Sequence, residues 1–136
     1  MKRILRYIAI GTLAILVFSL LGFLIWAETP YKAESAAIES IDRSAIENDQ
    51  NWLVFDPEET TSSTGLVFYP GGRVDYRAYA PHAEAIAEAG YKVVLLPMPL
   101  NFAIFGANPA DEVIAAFPAI TTLAVGGHSL GGAMAA

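Results

Sequence analysis

The sequence predicts an α/β domain, a mostly parallel sheet with flanking helices, preceded by one N-terminal transmembrane helix. Three observations predict it. Ile8–Ala27 is an unbroken run of 20 residues with no ionisable group. After it, short β-branched or aromatic runs alternate with amphipathic helical segments, the pattern of strands joined by right-handed crossovers. The last of these runs opens directly into a glycine-rich turn around Ser129.

A chain of 136 residues accommodates one domain of ordinary size. With 54% hydrophobic and 16% charged residues, it has ample apolar surface to bury, which excludes disorder for its bulk. The absence of cysteine excludes disulfide scaffolds, thiol nucleophiles and thiolate zinc sites. A balance of 8 basic against 14 acidic side chains argues against a nucleic-acid partner, which calls for a basic face. Two histidines without clustered partners make no metal site, and no cofactor is implied.

The apolar run is long enough, at 1.5 Å per helical residue, to cross about 30 Å of hydrocarbon. Lys2, Arg3 and Arg6 precede it, Tyr7 and Trp26 occupy interfacial positions, and Glu28 follows. The positive-inside bias then makes residues 1–7 cytoplasmic, 8–27 a signal anchor and the remainder extracytoplasmic. A cleaved secretory signal has a shorter apolar core and a small-x-small site, and Ile25-Trp26-Ala27 lacks the first small residue. All 14 acidic side chains but only 5 basic ones lie beyond the run. Such a surface is repelled by anionic lipid, so the helix rather than the domain's charge would hold it at the membrane.

Residues 28–50 read as a spacer, a solvated tether with a short helix over Ala33–Ser40 and a weak strand over Ile41–Glu47. The domain then occupies 51–136. Asn48–Asn51 suits a hairpin turn into a strand over Trp52–Phe55, closed by Asp56-Pro57. Glu58–Thr64 is a polar loop. Gly65–Tyr69 is a continuous apolar run, as a strand covered on both faces requires. Pro81 suits a first helical turn, Tyr79, Ala83, Ile86 and Ala87 share a face, and Gly90 sits where a left-handed cap belongs. Tyr91–Leu96 is a second buried strand. Asn108-Pro109-Ala110-Asp111 reads as a cap and first turn, leading a helix through Val113, Ile114 and Phe117 to Pro118. Leu123–Val125 is the third short strand of the series.

Gly127-x-Ser129-x-Gly131 fits a nucleophile elbow. The backbone there turns so sharply from strand to helix that side chains at the flanking positions would collide, while strained torsions hold the serine Oγ clear of the sheet. A plain glycine-rich corner or a phosphate cradle is the competing reading. The latter needs Gly-Lys-Ser/Thr, and no lysine follows Lys92.

The stretch Gly65–Ala136, with Phe-Tyr-Pro-Gly-Gly-Arg-Val-Asp at 68–75, Met-Pro-Leu-Asn at 98–101 and Gly-Gly-His-Ser-Leu-Gly-Gly at 126–132, resembles the α/β-hydrolase superfamily. Within it the likeness is to the membrane-anchored bacterial hydrolases of the "alpha/beta hydrolase fold-5" type, with dienelactone hydrolases and esterases as more distant relatives. The resemblance implies a partial α/β-hydrolase fold and Ser129 as nucleophile. It implies an oxyanion hole from the N–H of Leu130 and one N–H of the loop after the third strand, Gly72 first and Arg73 next. Proline replaces the histidine that many relatives carry before the Gly71-Gly72 pair. The substrate would be a small molecule with an ester-like or related acyl bond, cleaved through an acyl-serine intermediate.

The family's general base and acid lie on loops after later strands. His128, beside the serine, reads as a hydrogen-bonded structural residue, and His82 as solvent-facing or a loop brace. The sequence stops seven residues past Ser129. The expectation is therefore the N-terminal part of a longer hydrolase, inactive alone, with β-pairing partners absent beside Leu123–Val125. A membrane-tethered, non-catalytic binding or scaffold protein of the same fold is the alternative. The apolar loop Pro97–Phe105 either lines an acyl pocket, rests on lipid, or is buried under a further element.

Overall fold

The computed structural model describes residues 2–57, 62–106 and 108–136. Of the loop expected over Glu58–Thr64, residues 58–61 lie outside the described residues. The first helix, α1 (Lys2–Ala27), is long and apolar enough to cross a membrane, and Ala27 at its end is its buried residue. It begins at Lys2, so the three basic residues extend the helix rather than precede it.

Five strands form one sheet: β1 (Ala45–Glu47), β2 (Leu53–Phe55), β3 (Thr64–Tyr69), β4 (Lys92–Leu95) and β5 (Thr122–Gly127), in the order β1-β2-β4-β3-β5. β4, β3 and β5 run parallel, and β1 and β2 add an antiparallel edge. The β1–β2 hairpin turns through Asn48, whose side-chain oxygen accepts the N–H groups of Gln50 and Trp52 at 3.0 and 2.9 Å. This is the local turn chemistry that makes asparagine common there.

Residues 28–50 are not a solvated tether. Tyr31 bridges Val74, helix α2 (Ser35–Ser44) packs against the domain, and β1 joins the sheet. The helix runs four residues beyond the expected Ser40, because Ala37, Ser40 and Ile41 form a stripe facing the core and Ser44 reaches a buried carboxylate. That stripe is short and mixed in polarity, so it reads as a tether until its partner is known.

Two cores lie on opposite faces of the sheet. On one, Leu53 and Phe55 of β2 and Val93 and Leu95 of β4 meet Ala37 of α2 and Ala80, Ala83 and Ala87 of helix α3 (Ala80–Glu88). On the other, Val67, Tyr69, Val94 and Leu96 meet Val113 of helix α4 (Pro109–Ala116), with Ala135 of helix α5 (Leu130–Ala135) packed alongside. Successive strand residues point to opposite faces, so coverage on both sides requires the continuous apolar runs of β3 and β4. β5 departs from this. Ala124 and Val125 are exposed, and among the described residues the strand pairs with β3 alone.

The helix ends have identifiable causes. Gly90 (φ 97°) closes α3, its N–H bonding Ala87 and the next N–H, of Tyr91, bonding Ile86, as a Schellman cap requires. Tyr79 stands on a 3-10 turn, Tyr76–Tyr79, directly before α3 rather than within it, and packs against the same core as Ala83, Ile86 and Ala87. Asn108 stands before α4, yet its side chain caps nothing. The Ala110 N–H goes instead to the Tyr69 hydroxyl at 3.2 Å. Within α4 Val113 is buried and its neighbour Ile114 is exposed.

Glu84 is the buried charge of the first core. Arg43 donates to it from Nε at 2.6 Å and from a terminal nitrogen at 2.8 Å, and the Ser44 hydroxyl donates as well. These hydrogen bonds, Arg43's first, hold the Glu84 carboxyl down at about 2. The unfolded chain takes up that proton near the ordinary value of 4.5. The ionised pair therefore contributes stability that is complete above that value and is lost as pH falls toward about 2. Glu84→Gln is expected to lower the Tm at pH 7 by about 4–8 °C. The gap to the parent should close as pH approaches 2, followed by circular dichroism. A gap independent of pH would show that the carboxylate is not its source.

Candidate active site

Three segments meet where the parallel strands end, the side on which open α/β sheets bind their ligands. They are the Pro70–Val74 loop after β3, the Pro97–Phe105 loop after β4, and the turn from β5 into α5. The last follows from two glycines. A Cβ on Gly127 would lie 2.5 Å from the Gly131 carbonyl carbon and 2.7 Å from Tyr69 O; one on Gly131 would lie 2.2 Å from Tyr69 O and 2.4 Å from Pro70 O. Such approaches are impossible for a real side chain. The collision expected between flanking side chains is thus one with backbone, of the turn itself and of the end of β3. The His128 N–H donates to Tyr69 O at 3.1 Å and completes the junction.

Between them Ser129 adopts φ 52°, ψ −119°, a region that non-glycine residues enter only under strain of about 1–3 kcal/mol. The preceding segment is extended, the serine is exposed, and Oγ makes no cap hydrogen bond to α5.

Gly72 lies beside Leu130. A Cβ at Gly72 would sit 3.5 Å from Leu130 Cδ2 and 3.2 Å from the ring of Phe102. The Leu130 N–H opens α5, where backbone donors have no helical partner, and among the described residues neither it nor the Gly72 N–H is taken by an acceptor. Arg73, the second choice for the oxyanion loop, is excluded by its own backbone: its N–H donates to Asn101 O at 2.7 Å. Gly71 is occupied likewise, donating to the Tyr79 hydroxyl at 3.0 Å.

That hydroxyl also stands 3.0 Å from Nδ1 of His128. The phenol therefore makes two hydrogen bonds at once, accepting the Gly71 N–H and pairing with Nδ1 of His128. Tyr79 thus ties the Gly71 turn to the residue before the serine, a brace with no signal in local sequence spacing. His82 is exposed on α3. Asp75 begins the 3-10 turn, where burial opposes its charge and the hydrogen bonds of Arg77 outweigh that effect, holding its carboxyl below the ordinary value. Among the described residues no three His, Asp or Glu side chains converge as metal ligands would.

The Arg73 side chain turns the other way, to the end of α1. Its Nε donates to Trp26 O at 2.9 Å, a terminal nitrogen donates to Thr29 O at 2.5 Å, and the guanidinium lies 4.2 Å from the Trp26 ring centre. Asn101 Nδ2 donates to Ala27 O at 3.0 Å. The loops that form the site therefore satisfy carbonyls that the last turn of α1 leaves open. Sequence reasoning missed this because the partners stand 47 and 74 positions apart.

The alpha/beta hydrolase family model matches residues 65–136, just over half of the chain and all three segments of the site. No curated protein and no solved structure matches the chain.

Two glycines of this turn separate its geometry from mere glycine richness. Gly131→Ala forces a methyl into two carbonyl oxygens and is expected to destabilise by about 1–3 kcal/mol or more, or to prevent folding. Gly126→Ala meets only Leu66 Cδ1, at 3.6 Å, and should stay within about 0.5 kcal/mol of the parent. Denaturant titration of both variants checks the contrast; equal losses would contradict the close approach.

Proposed function

The chain belongs to the alpha/beta hydrolase family, and from that premise we propose that it is a serine hydrolase, tethered by α1, that cleaves an ester-like or related acyl bond. Ser129 carries the reading: an exposed residue in a strained strand-to-helix turn, with the N–H groups of Leu130 and Gly72 unpaired among the described residues. In the proposed reaction Oγ attacks the acyl carbon as a base takes its proton. The tetrahedral oxyanion accepts the N–H groups of Leu130 and Gly72, each such donor typically contributing about 2.7–4 kcal/mol. The bond to the leaving group then breaks, the leaving group takes the proton, and water releases the acyl group from Ser129. Residues 1–7 would lie on the cytoplasmic side and the domain on the other.

The base is the unfilled role. His128 Nδ1 is engaged by Tyr79 and His82 faces solvent, so the reading requires an imidazole and a carboxylate beyond those described. The same observation favours the second reading, a tethered non-catalytic protein of this fold.

Two measurements separate them. The 136-residue chain is expected to hydrolyse p-nitrophenyl acetate no faster than its Ser129→Ala variant, since a serine without a base is a poor nucleophile. Clear serine-dependent turnover would mean that the proton has another acceptor. A product of the same gene that also carries an Asp or Glu and a His at later strand ends should take a fluorophosphonate label, abolished by Ser129→Ala. No label on that product would overturn the catalytic reading in favour of the second.

A further inference from the structure

Phe23, one turn before the end of α1, stacks on Phe102 with ring centres 6.3 Å apart and planes at 22°. Trp26 lies 5.8 Å from the same ring, and Phe105 meets it edge-on at 6.1 Å. The loop after β4 thus rises alongside α1 to the level of a residue inside its apolar run. The loop is firmly built: Ala103 is buried, and the N–H groups of Phe102, Phe105 and Gly106 close successive turns onto Pro99, Phe102 and Ala103 at 3.0–3.1 Å. From it Ile104 and Phe105 project with 56% and 50% of their surface exposed. A single exposed apolar residue is ordinary, but a strip continuous with a larger apolar face marks an interaction surface. Here that face is α1 itself, whose side chains are exposed along the candidate span.

We infer that Ile104 and Phe105 lie in the interfacial layer of the bilayer that α1 crosses, so that the loop is a second membrane contact and the candidate site opens at the lipid surface. The inference rests on the proposed tethering by α1. Aromatic and aliphatic side chains enter the headgroup–acyl boundary to a depth of about 5–10 Å, within reach of a loop packed on the last turn of a spanning helix. Phe102 connects this surface to the site, because the same ring packs against Gly72, and α5 packs against the Ala103–Phe105 turn.

The chain has no cysteine, so single-thiol variants of the full chain can be labelled with an environment-sensitive fluorophore and reconstituted into phosphatidylcholine/phosphatidylglycerol vesicles. Lipids spin-labelled near the headgroup serve as quenchers. Ile104→Cys and Phe105→Cys, both at exposed positions, are expected to lose more than half of their emission. Glu88→Cys, at the end of α3 far from the strand ends that bear the site, should keep its emission. Leu16→Cys in mid-helix should be quenched by lipids labelled deep in the acyl chain. If Leu16→Cys is quenched while both loop labels behave like Glu88→Cys, the loop is not in the interface and the inference fails alone. If Leu16→Cys is not quenched, the tether itself fails and the inference falls with it. Neither readout depends on turnover, so the catalytic reading stands or falls separately.

Discussion

The geometry of the site depends on one close approach of backbone to backbone. Gly131 lies so near the carbonyl oxygens of Tyr69 and Pro70 that a methyl group could not fit, and Gly127 packs as tightly on Gly131 itself. This contact brings α5 against the end of β3, and everything else there follows. The serine between the two glycines takes a positive φ, it stands exposed, and the Leu130 side chain at the start of α5 comes beside Gly72. The strain at Ser129 is sustained by the parallel ladder between β3 and β5, which runs from Thr64 and Thr122 to Tyr69 and Gly127. A site held by ladder hydrogen bonds and excluded volume is better defined than one held by loop side chains.

A second dependence links the site to the N-terminal helix. The carbonyls at the end of a helix need donors and favour a positive charge. Arg73 supplies the charge and two donors, Asn101 supplies a third, and both belong to loops that border Ser129. α1 is therefore not a separate appendage on a flexible stem. Its final turn is bonded by Arg73 of the Gly71-Gly72 loop, the Tyr31 N–H donates to Arg73 O and the Asp75 N–H donates to Tyr31 O, so a displacement of one is felt by the other.

Position beside the serine does not by itself make a base. His128 adjoins the serine, where a base would be wanted, yet the turn that exposes Ser129 directs the imidazole to Tyr79. The arrangement stiffens the turn without serving the hydroxyl. The Tyr79 phenol, bonded to Gly71 and His128 and packed 4.8 Å from the Phe68 ring, holds three segments together.

Local sequence by itself determined the elements whose cause is local. The length and uniform polarity of 8–27 make a long helix whatever surrounds it. The continuous apolar runs of β3 and β4 declare strands covered on both faces, Gly90 ends α3 because its φ of 97° suits glycine, and Gly-x-Ser-x-Gly marks a sharp turn at Ser129. Tertiary structure decided what depends on distant partners. It folded 28–50 onto the domain, because α2 acquires a core face only once Ala83 and Glu84 stand opposite it. It withdrew the Arg73 N–H from the oxyanion loop by giving it to Asn101 O, and it bound α1 to the site through contacts spanning dozens of residues. The physical reason is common to all three: a hydrogen-bond donor or an apolar stripe announces itself in sequence, but its partner is chosen by the fold.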